Sequence, residues 1–229
     1  MSLRGFIFRR LDAIIAVNGA IAGMFRKFGV PPERIRLIPP HTPAALDPDA
    51  TLPGPLSSFF RTHDPVLTTV GLLEPEYDLG LQIEALGRIR DSYPMAGLAI
   101  IGAGSMEEEL RRLIAAQPWG DHILLCGDVS RAAALRAIAD SRLLLRTTRY
   151  DGDSVAVREA LQLDTPVIAT DNGMRPDGVR LVPPGDLQAL CQAILQRLAG
   201  PGSPGPRQND SGERNLEAVF DLYNELMKS

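Results

Sequence analysis

The chain has 229 residues, 45% of them hydrophobic, enough for one good core and part of a second. Its 24 basic and 28 acidic residues give a net charge of −4 with no long run of one sign, which argues against nucleic acid as a main partner. Cys126 and Cys191 have no C-x-x-C spacing and read as free, buried thiols. With no apolar run near the roughly 20 residues of a membrane span and no cleavable signal, a cytoplasmic protein in a reducing compartment is expected.

In chain order, Leu3 to Arg10 mixes Phe6, Ile7 and Phe8 with Arg4, Arg9 and Arg10. It reads as the end of a helix of a packed domain, with peripheral contact to the inner membrane face as the alternative. A strand over 13–17, a helix over 20–28 that stops at Gly29 and a strand over 35–38 follow. Residues 1–38 therefore look like the end of an N-terminal α/β domain, the chain being part of a longer two-domain protein. The exposed edge of the first strand predicts packing on the next domain or pairing with a second copy. Residues 39–65, rich in Pro, Asp, Ser and Thr, read as a linker or long surface loop.

Residues 66–199 are regular. Strands at 66–71, 98–101, 123–126, 143–145, 167–169 and 179–182 alternate with helices near 79–92, 106–116, 131–140, 155–163 and 187–198. Such alternation predicts a doubly wound parallel α/β sheet, Rossmann-like, with right-handed crossovers. A Pro/Gly linker over 200–212 precedes a final helix within 213–229.

The most informative segment runs from Tyr150 to Leu161, after the strand Leu143-Leu144-Leu145. It puts Asp151 in a polar turn and Glu159 eight residues on, inside a helix. Strand, loop and helix in that order form the ligand-binding edge of an open α/β sheet. The free N–H groups that begin the helix suit a phosphate, and two acids beside it suit the hydroxyls of a sugar or ribose. The other glycine turns say less. Ile101-Gly102-Ala103-Gly104 lacks a third glycine and leads into Glu107, Glu108 and Glu109, which would repel a pyrophosphate, so it reads as a structural turn. Gly71, Gly127 and Gly173 each follow a strand. Asp151-Gly152-Asp153 could hold a divalent cation through oxygen, a weaker reading because no further ligand stands nearby. Trp119 and Tyr150 read as packing residues.

Taken together, these pieces make the chain resemble the C-terminal, donor-binding half of family 4 retaining glycosyltransferases of the two-domain GT-B fold. The resemblance runs from about residue 12 to residue 199. It is carried by seven signals in order: Ile35 to Pro39, Gly71 to Glu76, Ile101 to Gly104, Leu125 to Ser130, Asp151 to Glu159, Pro166 to Gly173, and Pro184 to Leu187. It implies transfer of a hexosyl group from a nucleotide diphosphate-sugar to a glycan or lipid-linked hydroxyl, in polysaccharide or glycoconjugate biosynthesis. No metal and no cofactor beyond that substrate is implied. By the same resemblance Glu159 bonds the ribose and Asp151, in place of the usual Glu, faces the sugar. Gly71 lies in the first donor turn, Gly127 and Val129 meet the base, Ser154 and Val155 cap the diphosphate, and Gly173 lets the ligand approach the backbone. The fragment alone is expected to be inactive.

The sequence departs from the pattern where the family's first motif supplies an Arg and a Lys for the diphosphate: here stand Leu72 and Tyr77. The usual Pro-Ser pair is Thr147-Thr148, and Pro40-His41-Thr42 replaces Gly-Val-Asp at the interdomain crossing. Arg146, Arg149, Arg158 and Arg175 cluster near the same strand ends. Arg149, in the loop, is the first choice as a replacement cation. The missing pair also opens a second reading, a degenerate module that binds a nucleotide or glycan without turnover.

Overall fold

The structure, a computed structural model, describes residues 3–40, 45–200 and 211–228. The chain divides into two compact units, Met1–Pro43 with Gly152–Val155 and Asn209–Ser229, and Ala44–Asp151 with Ala156–Gln208.

In the first unit, α1 (Leu3–Phe8) leads to β1 (Ile14–Ala16), α2 (Gly19–Lys27) and β2 (Ile35–Leu37). The Asn18 side chain caps α2 by accepting from the Ile21 amide at 2.9 Å. Strands β1 and β2 pair in parallel, Ile14 opposite Ile35. Ile14, Ala16, Ala22, Val30 and Ile35 form a small core under Phe8 and Phe25. The strand–helix–strand pattern of the sequence is therefore present, and the first strand finds its partner in β2. The last helix, α9 (Ser211–Leu226), belongs to this unit, where Glu225 meets Arg36 at 3.3 Å.

The second unit is a six-stranded parallel sheet in the order β5-β4-β3-β6-β7-β8. Its strands are β3 (Val66–Val70), β4 (Gly97–Ile101), β5 (Ile123–Gly127), β6 (Leu143–Arg146), β7 (Val167–Thr170) and β8 (Arg180–Val182). The helices α4 (Leu79–Ile89), α5 (Glu107–Ala115), α6 (Arg131–Asp140), α7 (Val155–Gln162) and α8 (Leu187–Ala199) alternate with them. The central strands are buried on both faces, as a sheet covered on both sides requires, mostly by apolar residues and in β3 also by Thr68 and Thr69. One face packs Leu67, Leu98, Ile100, Leu143 and Leu145 against α4 and α8; the other packs Leu144, Val167 and Ala169 on Val157, Ala160 and Leu161 of α7.

One expected linker is partly structured. Within 39–65, α3 (Gly54–Thr62) buries Leu56 and Phe59 against Val66, Ala99 and Ile101. Pro55 lies at the start of this helix, where its missing N–H costs nothing. Its spaced apolar residues, not its overall polarity, determine the local structure. His41 and the 201–210 part of the expected Pro/Gly linker lie outside the described residues.

Candidate functional site

From β3 the chain winds outward through β4 to β5, then returns to the other side of β3 with β6. The strand order thus reverses between β3 and β6, and the carboxyl ends of these strands are where open α/β sheets bind ligands. Gly71 follows β3 there, and Arg146 to Asp151 end and follow β6. A Cβ at Gly71 would lie 2.4 Å from Tyr77 Cε1 and 2.6 Å from Arg146 Nη1, so any larger residue would displace the two side chains that lie over it. The Arg146 guanidinium stands 4.5 Å from the centre of the Tyr77 ring.

Asp151 is the meeting point of several donors. Its Oδ2 accepts from Arg146 Nη2 at 2.8 Å, Arg146 Nε at 3.0 Å, Arg175 Nη1 at 3.1 Å and the Thr148 hydroxyl at 3.3 Å. Burial pushes the Asp151 carboxyl up, and the two guanidiniums pull it down by more, so it titrates below its ordinary value. The arginines lie deeper than the acid: side-chain exposure is 7% for Arg146 and 1% for Arg175, against 18% for Asp151.

Glu159, on α7, is buried, and its Oε1 accepts from Arg131 Nη2 at 2.9 Å and Nε at 3.3 Å. Arg131 is the first residue of α6, directly after the turn at Gly127 to Ser130. Ser130 caps that helix by accepting from the Ala133 amide at 3.2 Å. The acid of one strand–helix crossing is therefore held by a cation from the neighbouring one.

The other expected residues are placed as follows. Gly127 and Gly173 have left-handed backbones, φ +67° and +74°, with open space where a side chain would stand. Val129 packs its side chain against the Leu56–Phe59 cluster. Val155, 44% exposed, is the first residue of α7, and the buried hydroxyl of Ser154 before it has no hydrogen-bond partner among the described residues. Arg149 is an exposed surface residue whose Nε donates to Asp78 at 3.2 Å. The guanidiniums drawn into the strand ends are instead those of Arg146 and Arg175. Tyr150, expected to pack, is 69% exposed. Trp119 packs on Gly87 and donates its Nε1–H to the Ile83 carbonyl at 3.0 Å. The Ile101-Gly102 turn is structural, since a Cβ on Gly102 would come 1.9 Å from the Gly71 carbonyl oxygen.

Two guanidiniums on the Asp151 carboxylate are incompatible with a divalent cation on the same oxygen. Among the described residues no cluster of three His, Cys, Asp or Glu could hold a metal ion. Cys191 is buried and Cys126 half-buried, both free, and burial pushes the Cys126 thiol up to about 12. No helix among the described residues is long and apolar enough to cross a membrane. A cavity of about 560 Å³ between α5 and edge strand β5 involves none of the residues above.

Residues 64–199, more than half of the chain, match the family model described as Glycosyl transferases group 1. The chain belongs to that family. Among curated relatives, it is 32% identical over 150 residues to the amylovoran biosynthesis glycosyltransferase AmsK of Erwinia amylovora, a match covering 60% of this chain and 37% of AmsK. The chain spans about half or less of the length of the first curated relatives it matches. Among solved structures, Anabaena HepE in complex with UDP and glucose superposes with a TM-score of 0.78 at 16% identity, over 99% of this chain and 66% of HepE. TarM of S. aureus, in complex with UDP and other ligands, gives a TM-score of 0.78 at 18% identity, over 96% of this chain and 46% of TarM. At such identities the superpositions establish a shared fold, the Rossmann-like half of a group 1 glycosyltransferase.

Proposed function

We propose that this chain is the donor-binding part of a retaining glycosyltransferase that moves a hexosyl group from a nucleotide diphosphate-sugar to a glycan or lipid-linked hydroxyl, in polysaccharide or glycoconjugate biosynthesis. The observation that carries the reading is Glu159. A buried carboxylate needs partners, and this one has Arg131 on a single oxygen at a strand end, where a ribose can supply hydroxyl donors to the other. Asp151 stands at the adjoining strand end for the sugar, and the amides that open α7 suit the diphosphate. Family membership supports the transfer chemistry, and the UDP in HepE and TarM supports the nucleotide. Catalysis then rests on placement and on stabilising the oxocarbenium-like charge and the leaving diphosphate. No metal or cofactor is required by this reading, and Arg149 stays a candidate cation for the exposed side of the diphosphate.

Leu72 and Tyr77, in place of the expected Arg and Lys, favour a second reading, a module that binds without turnover. Thermal unfolding in the presence of UDP or GDP separates the two. The donor reading expects a rise in melting temperature with one nucleotide, abolished in Glu159→Gln. No response to either nucleotide would defeat it.

A further inference from the structure

Asp151 is held in an asymmetric way that its place in the donor motif does not require. All of its side-chain hydrogen bonds within the described residues converge on Oδ2, from two arginines and Thr148, and Oδ1 accepts none. The arginines come from different elements and are themselves fixed. Arg146, at the end of β6, donates through Nη1 to the Val70 carbonyl at 3.0 Å. Arg175, five residues beyond β7, donates through Nε to the Thr170 carbonyl at 3.1 Å and through Nη2 to the Thr148 hydroxyl at 2.6 Å. Both guanidiniums lie deeper than the carboxylate, and they donate to it and to the Val70 and Thr170 carbonyls and the Thr148 hydroxyl around it.

We infer that Arg146 and Arg175 are positioning residues that fix Asp151 through Oδ2 and present its Oδ1, as an ionised acceptor, to the sugar of the donor. The inference rests on the donor-binding reading above and adds the residues that make the acid competent. A carboxylate facing a sugar must stay charged to accept from hydroxyls and to stabilise positive charge at the anomeric carbon. Burial alone works against that charge. The two cations counter burial and prevent rotation of the carboxylate, because three guanidinium N–H groups from two fixed side chains converge on one oxygen.

The test compares the affinity for UDP-glucose with that for UDP, by calorimetry at pH 7.5 and pH 5.0, with GDP-mannose and GDP as the parallel pair. The ratio isolates the contribution of the sugar. Each variant is read against the wild type at the same pH, since the terminal phosphate of UDP itself titrates between the two, and Asp151→Asn should reduce the ratio at both. In Arg175→Gln and Arg146→Gln the ratio should fall several-fold relative to the wild type, and further at pH 5.0 than at pH 7.5, because burial then raises the Asp151 carboxyl with one cation fewer to oppose it, with the affinity for UDP itself unchanged. Arg175→Lys should recover part of the loss. Arg146→Lys is the milder variant should the glutamine forms not fold, and it should show the same pH dependence in smaller degree. Wild-type ratios in the arginine variants at both pH values would overturn the inference, and so would equal losses for UDP and UDP-glucose. Failure of the wild-type chain to bind either nucleotide overturns the donor reading itself, and is seen before any variant is compared.

Discussion

Glu159 and Asp151 are eight residues apart, yet each has an arginine on one carboxylate oxygen, drawn from an element distant in sequence. For Glu159 that arginine is Arg131, 28 residues away and half-exposed at 54% of its side chain. Arg131 is exposed but its partner is not, so removing it strands a buried carboxylate. Arg131→Ala should therefore lower the melting temperature and also lower affinity for UDP or GDP about tenfold, a loss of one good hydrogen bond to a charged group. The 2′,3′-dideoxy nucleotide should bind both forms equally, because it lacks the hydroxyls that the glutamate would accept from. An equal drop for the ribo and dideoxy forms would separate Arg131 from the ribose. The spacing of the two acids was legible in the sequence because strand, loop and helix follow one another locally. Their partners were not. A pairing across 24 or 28 residues depends on which strands become neighbours, and no residue pattern near Arg131 or Arg175 announces it. Arg149 looked the better cation because it lies in the loop. Arg146, the last residue of a buried strand, folds back beneath the loop and meets Asp151 instead.

At the scale of elements, periodic apolar runs made every strand and helix of the parallel sheet readable to within a few residues. The exception is α3, hidden in a polar, proline-rich stretch. Its signal was present as Leu56, Phe59 and Phe60 at helical spacing after Pro55. Composition averaged over the whole stretch obscured it. Leu56 is 1% exposed, and the Phe59 ring stacks on His63 with centroids 4.0 Å apart. Gly97 of β4 is small because a Cβ there would come 2.7 Å from that ring. Such close fitting makes α3 part of the sheet's cover. Leu56→Ala should cost about 2–5 kcal/mol, the range for a buried leucine truncated in a core that relaxes only partly. Urea unfolding followed by the fluorescence of Trp119, the only tryptophan of the sequence, reads it out. A change below about 0.5 kcal/mol would return the segment to the status of a surface loop.

For the molecule as a whole, the arginine-bound acid links the candidate site to stability in acid. The folded-state pKa of Asp151 is depressed below its ordinary value of 3.8 by Arg146 and Arg175, against the upward push of burial. A depressed folded pKa means that the unfolded chain binds the proton more readily. The stabilisation is complete above the ordinary carboxylate range and is lost as pH falls through that range to the folded pKa. Protonation then leaves two deeply placed guanidiniums without their shared anion, the costly half of a broken buried ion pair. Asp151→Asn should reproduce that state at every pH. The variant should be less stable than the wild type at pH 7, by about 3 kcal/mol if the pair behaves as buried ones do. The difference should hold at pH 5 and narrow steadily below pH 4, as the wild type loses the same charge. Trp119 fluorescence in urea at these pH values measures both curves. A gap that stayed constant down to pH 2.5 would mean that the asparagine acts through lost packing or hydrogen bonding, and that the charge of Asp151 contributes nothing to holding the two arginines in place.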